Sequence, residues 1–107
     1  MPINEILDEA GIRHAETLFL QPPDAVHAVW HDDITAEGSD FGNETYRHRY
    51  TVELCEPYAA QSPEAHEALR DVLDANGIHW VKKLRIFYTD LQYFVTAYEF
   101  EILERRG

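Results

Sequence analysis

The chain has 107 residues, with nine Lys and Arg against twenty Asp and Glu, a formal charge of −11, a 45% hydrophobic content and one cysteine. That length holds one domain around one core, and the acidic balance opposes any sequence-independent grip on a phosphate backbone. Cys55 alone excludes an internal disulfide and a thiolate metal cluster. No apolar run approaches the ~20 residues of a membrane span, and Met1–Glu5 lacks the basic and apolar regions of a signal peptide, so a soluble, non-exported protein of a reducing compartment is expected.

Ile3, Ile6, Leu7 and Ala10 recur at helical spacing, and Gly11 stands where a left-handed residue closes a short helix. Pro22-Pro23 donates no ladder hydrogen bond and forces extended geometry before it. It therefore separates two extended segments, Glu16 to Leu20 and Ala25 to His31. Thr35 to Asn43 gathers Gly38, Ser39, Asp40, Gly42 and Asn43, the composition of a polar loop. From Glu44 to Glu56 the pattern alternates, with Tyr46, His48, Tyr50, Val52 and Leu54 on one face and Arg47, Arg49, Thr51 and Glu53 on the other. This is a long strand with one wet face.

Ser62-Pro63-Glu64 supplies an N-cap, a proline at the first helical position and an acid near the positive helix end, ahead of a stripe of Ala65, Leu69, Val72 and Leu73. Gly77 ends that helix, and Ile78 folds back on its last turn. Ile78 to Leu103 reads as two strands around a turn near Thr89-Asp90, with Phe94, Tyr98, Phe100 and Ile102 opposite Tyr93, Val95, Ala97, Glu99 and Glu101. The expectation is an α+β fold in a single domain, residues 1–107. Its order is α-β-β-β-α-β-β, with a mostly antiparallel sheet and two helices on one side.

No residue pattern demands catalysis, a metal or a cofactor. His27, His31 and Asp33 share a strand face, but four residues of strand spread the two imidazoles ~13 Å apart, too far for one ion, so solvated strand histidines are expected. Cys55 reads as a small buried hydrophobe rather than a nucleophile. Asp32-Asp33 and Asp8-Glu9 are adjacent carboxylates, and on a strand neighbours point to opposite faces, so they read as solvated turn and helix-end acids rather than a dyad. The Tyr and Phe residues from Tyr46 to Phe100 suit a core and a subunit interface better than a base-stacking platform in so acidic a chain. Arg47, Arg49 and Glu53 on the wet strand face, with Glu37, Asp40 and Phe41 in the loop, are candidate subunit-interface residues.

Several stretches in order carry a resemblance: Ile3-Asn4-Glu5-Ile6-Leu7 with Gly11-Ile12, Phe19-Leu20-Gln21-Pro22-Pro23 running into Ala28-Val29-Trp30-His31-Asp32-Asp33, then Gly38-Ser39-Asp40, His48, Thr51-Val52-Glu53-Leu54 and Tyr98-Glu99-Phe100. Together they resemble the small tail-terminator and tail-completion (head-tail joining) proteins of long-tailed bacteriophages and prophages. The resemblance implies a non-enzymatic virion structural protein, assembled in the host cytoplasm, that caps the tail tube as a homo-oligomeric ring of six copies. Its partners would be itself, the tail tube protein and a neck or connector protein, with DNA passing through the lumen without specific binding and no membrane involved. Another neck or connector adaptor of the same particle, or a small cytosolic binding module, is the alternative.

Overall fold

The computed structural model describes residues 2–38 and 44–106, with only the backbone described at 37, 38, 44, 105 and 106. Helix α1 (Ile3–Glu9) buries Ile3, Ile6 and Leu7. It closes as its sequence predicts: Gly11 takes φ +71° and donates to the Asp8 carbonyl at 3.0 Å, while the Ile12 N–H reaches the Leu7 carbonyl at 3.0 Å. That pair of bonds is a Schellman closure, which seats buried Ile12 beneath the helix.

Strand β1 (Arg13–Glu16) pairs in parallel with β2 (His27–Gly38), from Arg13 opposite His27 to Glu16 opposite Trp30. The extended segment expected over Glu16–Leu20 thus lies earlier in the chain. Thr17 adopts φ 69°, and the Leu18 N–H folds back to the Glu16 carbonyl at 2.7 Å, which turns the chain out of the sheet. The diproline lies in the connection that returns to β2. It is pinned there by the Tyr93 hydroxyl, which donates to the Pro23 carbonyl at 3.1 Å.

Strand β3 (Glu44–Pro57) pairs antiparallel with β2 on one side and with β5 (Tyr93–Arg106) on the other. A short 3-10 turn (Tyr58–Ala60) and helix α2 (Pro63–Ala75) lead to β4 (Trp80–Tyr88), which forms a hairpin with β5. The sheet order is β1-β2-β3-β5-β4, antiparallel apart from its first pair. The caps read from the sequence hold α2: Ser62 Oγ accepts from the Ala65 N–H at 3.2 Å, and Gly77 (φ +67°) lets the Ile78 N–H reach the Leu73 carbonyl at 2.9 Å. The fold is the α+β arrangement expected, with the element order as expected.

The polar loop expected over Thr35–Asn43 is corrected at its start. Thr35–Gly38 continue β2, with Thr35 opposite Arg47 and Gly38 opposite Glu44. A long partner strand offers a ladder hydrogen bond at every second residue, and that outweighs the turn preference of the side chains. Asp40 and Phe41 lie outside the described residues.

Alternation along β3 sorts the sheet into two faces. Ala28, Trp30, Tyr50, Val52, Leu54, Tyr98 and Phe100 face inward and form one core with α1, Ile12 and the Ala65, Leu69 and Leu73 stripe of α2. Both helices cover this one face over only part of its length. Beyond them β2, β3 and β5 run on as a three-stranded blade, and the molecule measures 54 × 27 × 22 Å. Its radius of gyration of 15.2 Å exceeds the ~13 Å typical of this chain length for the same reason. Leu69 is fully buried where α2 meets the sheet. Leu69→Ala is expected to lower stability by about 2–5 kcal/mol in urea unfolding, with the fold retained.

Candidate functional site

Among the described residues, no helix covers the outer sheet face. At one end the diproline connection folds over it, and Phe19 meets His27 edge-on at 5.2 Å with Tyr93 at 5.7 Å on the other side. His27 is thereby only 4% exposed, and its Nδ1–H donates to the Ala25 carbonyl at 2.9 Å. The solvated strand histidine expected there is corrected, because the connection that covers it comes from the chain before β2. His31 does stay at the surface, where it bonds the Glu53 carboxylate across the strand at 3.0 Å.

Further along this face Arg47 and Arg49 converge on one carboxylate. Arg47 Nη1 lies 2.8 Å from Glu101 Oε2 and Arg49 Nε lies 3.0 Å from Oε1, since Arg49 and Glu101 are opposite one another in the ladder. The Arg47 hydrogen bond, with the two guanidinium charges, holds the Glu101 carboxyl below its ordinary range. The structure therefore brings Arg47, Arg49 and Glu53 onto one open surface and pairs each with a neighbour in its own chain. Glu37 lies on the same blade by its backbone position in β2.

Among the described residues, neither edge of the blade has a further partner strand. β1 stops opposite Trp30, so His31–Gly38 of β2 have β3 on one side and, among the described residues, no strand on the other. β4 starts at Trp80 opposite Phe100, which leaves Glu101–Arg106 of β5 with the same free edge on the far side. Beside that second edge lies an open concavity of about 880 Å³, between the turn Asn76–His79 and Phe100–Leu103, reaching Arg47 and Arg49.

The inner face of the blade holds a polar cluster. His48 Nδ1 lies 2.8 Å from Asp32 Oδ2, its Nε2 lies 3.3 Å from Glu104 Oε2, and its ring stacks on Tyr50 at 5.5 Å. Burial first, then the charges of Asp32, Glu104 and Glu16, push the Tyr50 phenol up to about 12. Asp32 is thus partly buried and bonded, not the solvated turn acid expected. The prediction that Asp32 and Asp33 point to opposite faces holds.

A second polar group is sealed between α2 and the sheet. Glu56 is 1% exposed. It accepts from His66 Nε2 at 2.6 Å, from the Ser62 N–H at 2.8 Å and from Arg85 Nη2 at 3.3 Å. The carboxylate only accepts, so His66 donates from Nε2, and its Nδ1 lies 2.7 Å from the Tyr98 hydroxyl. Burial alone would push the Glu56 carboxyl up. The hydrogen bonds from His66 and Ser62, then the His66 and Arg85 charges, outweigh it and hold the group below its ordinary 4.5. Arg85 also bonds Gln61 at 3.1 Å and lies 4.0 Å above the Phe94 ring. A recess of about 230 Å³ opens over this cluster, lined on its outer side by Arg70, Lys82 and Arg85.

Sequence reasoning missed this cluster. A signal was present: the inward alternation from Tyr46 to Leu54 carries on to Glu56, which places a carboxylate at a core position that needs partners. Cys55 is half-buried, and burial followed by the Glu53 charge raises its thiol to about 11, which leaves it a poor nucleophile. Among the described residues no three His, Cys, Asp or Glu side chains gather as a metal site, and no helix is long and apolar enough to cross a membrane. Neither protein-family models nor curated proteins show a match to this chain.

A carboxyl group depressed on folding adds stability in full above its ordinary value and loses it as pH falls through the folded value. Stability of the wild type should therefore drop on acidification below pH 4.5. Glu56→Gln should cost about 3 kcal/mol at pH 7 and show a flatter stability profile below 4.5, read by denaturant melts at each pH.

Proposed function

We propose that this protein assembles head-to-tail into a ring that caps a bacteriophage tail tube and joins it to the neck of the head, the terminator or completion role that its sequence resembles. The observation that supports this reading is the blade with two unlike free edges on opposite sides. A closed ring requires a heterologous interface, one surface of each copy meeting a different surface of the next. Free strand edges are the strongest such surfaces a sheet can offer, and charged side chains along them limit indiscriminate pairing.

In this reading the protein stands at the tail-neck junction of the virion and is assembled in the host cytoplasm. The tube protein and a neck or connector protein are its partners. The charge of −11 fits a lumen through which DNA slides, because attraction to phosphate would retard it. The open face with Arg47, Arg49 and Glu53 supplies ion pairs that can be exchanged between copies.

A second reading, a small-anion binding module, rests on the cationic recess over Glu56. Saturable phosphate binding by a chain that never assembles would favour it, and an adaptor would bind portal instead of tube ends. Native mass spectrometry over a concentration series, alone and with isolated tail tubes, is expected to give a closed ring of six copies, and a monomer under every condition would refute the ring. Arg47→Glu with Arg49→Glu should keep the circular-dichroism spectrum of the wild type and weaken assembly at least tenfold; unchanged assembly would remove that face from the interface.

A further inference from the structure

The recess between α2 and β4 gathers three of the nine Lys and Arg residues of an otherwise acidic chain. Arg70 comes from α2, one turn past His66 and so on the same helix face. Lys82 and Arg85 come from β4. Residues three apart on a regular strand point to opposite faces, yet Lys82 stands opposite Tyr98 and Arg85 opposite Thr96, two fully buried residues on one face of β5. The register shift between Lys82 and Arg85 absorbs the odd residue, and both side chains are thereby aimed at the recess under α2. Lys83, inside the shift, goes to the outer face and pairs with Glu99 at 3.9 Å.

We infer that this recess binds a compact phosphate-type oxyanion, one per chain, with Arg70, Lys82 and Arg85 as its donors. The inference sharpens the small-anion reading and rests on the same recess; it is independent of the ring. Among the described residues neither Arg70 nor Lys82 forms an ion pair, although the chain carries twenty carboxylates. Three like charges drawn together repel, and a bound anion offsets that repulsion. Arg85 is fixed in advance: its Nη2 bonds Glu56 and Gln61, and its guanidinium lies 4.0 Å above the Phe94 ring. Its Nη1 and Nε meet no acceptor among the described residues and remain as donors.

Size and charge narrow the ligand. The recess, at about 230 Å³, is smaller than the ~300–1,000 Å³ of sites for drug-sized molecules, so it suits a compact group. A planar carboxylate is satisfied by one guanidinium fork, whereas cations from α2 and from two places on β4 suit the several oxygens of a tetrahedral anion. Glu56, the one carboxylate among the lining residues, is 1% exposed. Both its oxygens are taken, Oε1 by His66 and Arg85 and Oε2 by the Ser62 N–H. Three Lys and Arg charges against that one carboxylate leave a surplus of two positive charges, which matches the ~−1.5 to −2 of a phosphate group at neutral pH.

Inorganic phosphate is titrated into the purified chain by calorimetry at neutral pH and fixed ionic strength in chloride, with native mass spectrometry on the same sample. Saturable binding at one phosphate per chain is expected, weakened about tenfold by Lys82→Gln and again by Arg70→Gln. Lys83→Gln removes the same charge from the opposite face and should leave binding unchanged. Lys82 is exposed and unpaired among the described residues, so its variant keeps the wild-type fold whatever Arg70→Gln does near Tyr98. Phenyl phosphate binding as tightly as phosphate points to the phosphoryl end of a larger molecule, and phosphate alone points to the free ion; either supports the site. Heat without saturation, an equal loss with Lys83→Gln, or acetate binding as tightly as phosphate overturns it. A ring that takes up no phosphate overturns the site and leaves the ring standing, while a monomer that binds phosphate supports the site against the ring.

Discussion

The organising constraint is a mismatch of length between helix and strand. A residue advances a helix by ~1.5 Å and a strand by ~3.3 Å, so the 13 residues of α2 span ~20 Å while the 14 of β3 span ~46 Å. One helix of ordinary length and one of seven residues cannot roof strands that long. The core gathers under the helices at one end, and the blade stands clear at the other. The free edges, the concavity beside β5 and the elongated shape all follow from that difference in rise.

Polarity is distributed to suit the two ends. Under α2 the buried Glu56 gathers His66, the Ser62 N–H and Arg85, and through His66 it reaches Tyr98. This ties the start of the helix to β3, β4 and β5 with directional bonds that a wholly apolar contact would lack. On the open outer face of the sheet the pairs reach solvent: Arg47 and Arg49 with Glu101, His31 with Glu53, Lys83 with Glu99 at 3.9 Å. Surface pairs of this kind add little to the stability of a monomer, because solvent screens them and holding the side chains in place costs entropy. Their placement fits a surface that exchanges partners on assembly better than one that holds the fold together.

Much of the architecture was legible locally. The Schellman closures at Gly11 and Gly77, the Ser62 cap and the alternation of β3 depend on residues a few positions apart, and each formed as its sequence predicts. The interface candidates Arg47, Arg49 and Glu53 were legible as the wet face of β3, but their pairing with Glu101 and His31 was not, because those partners come from other strands. The misreadings share that cause. Thr35–Gly38 have the composition of a loop and became strand because β3 lay alongside; His27 reads as solvated and was buried by Phe19 and Tyr93.

By itself, then, the sequence determined element order, helix ends, the inner and outer faces of β3 and β5 and the acidic character of the whole, all of which rest on short-range sterics, hydrogen bonding and periodicity. Only the tertiary structure decided where β1 and β4 stop along their neighbours, which edges remain free, and which partners Glu56, His48 and Arg49 find. Those are contacts between segments far apart in the chain, and their geometry is set by packing that no local pattern encodes.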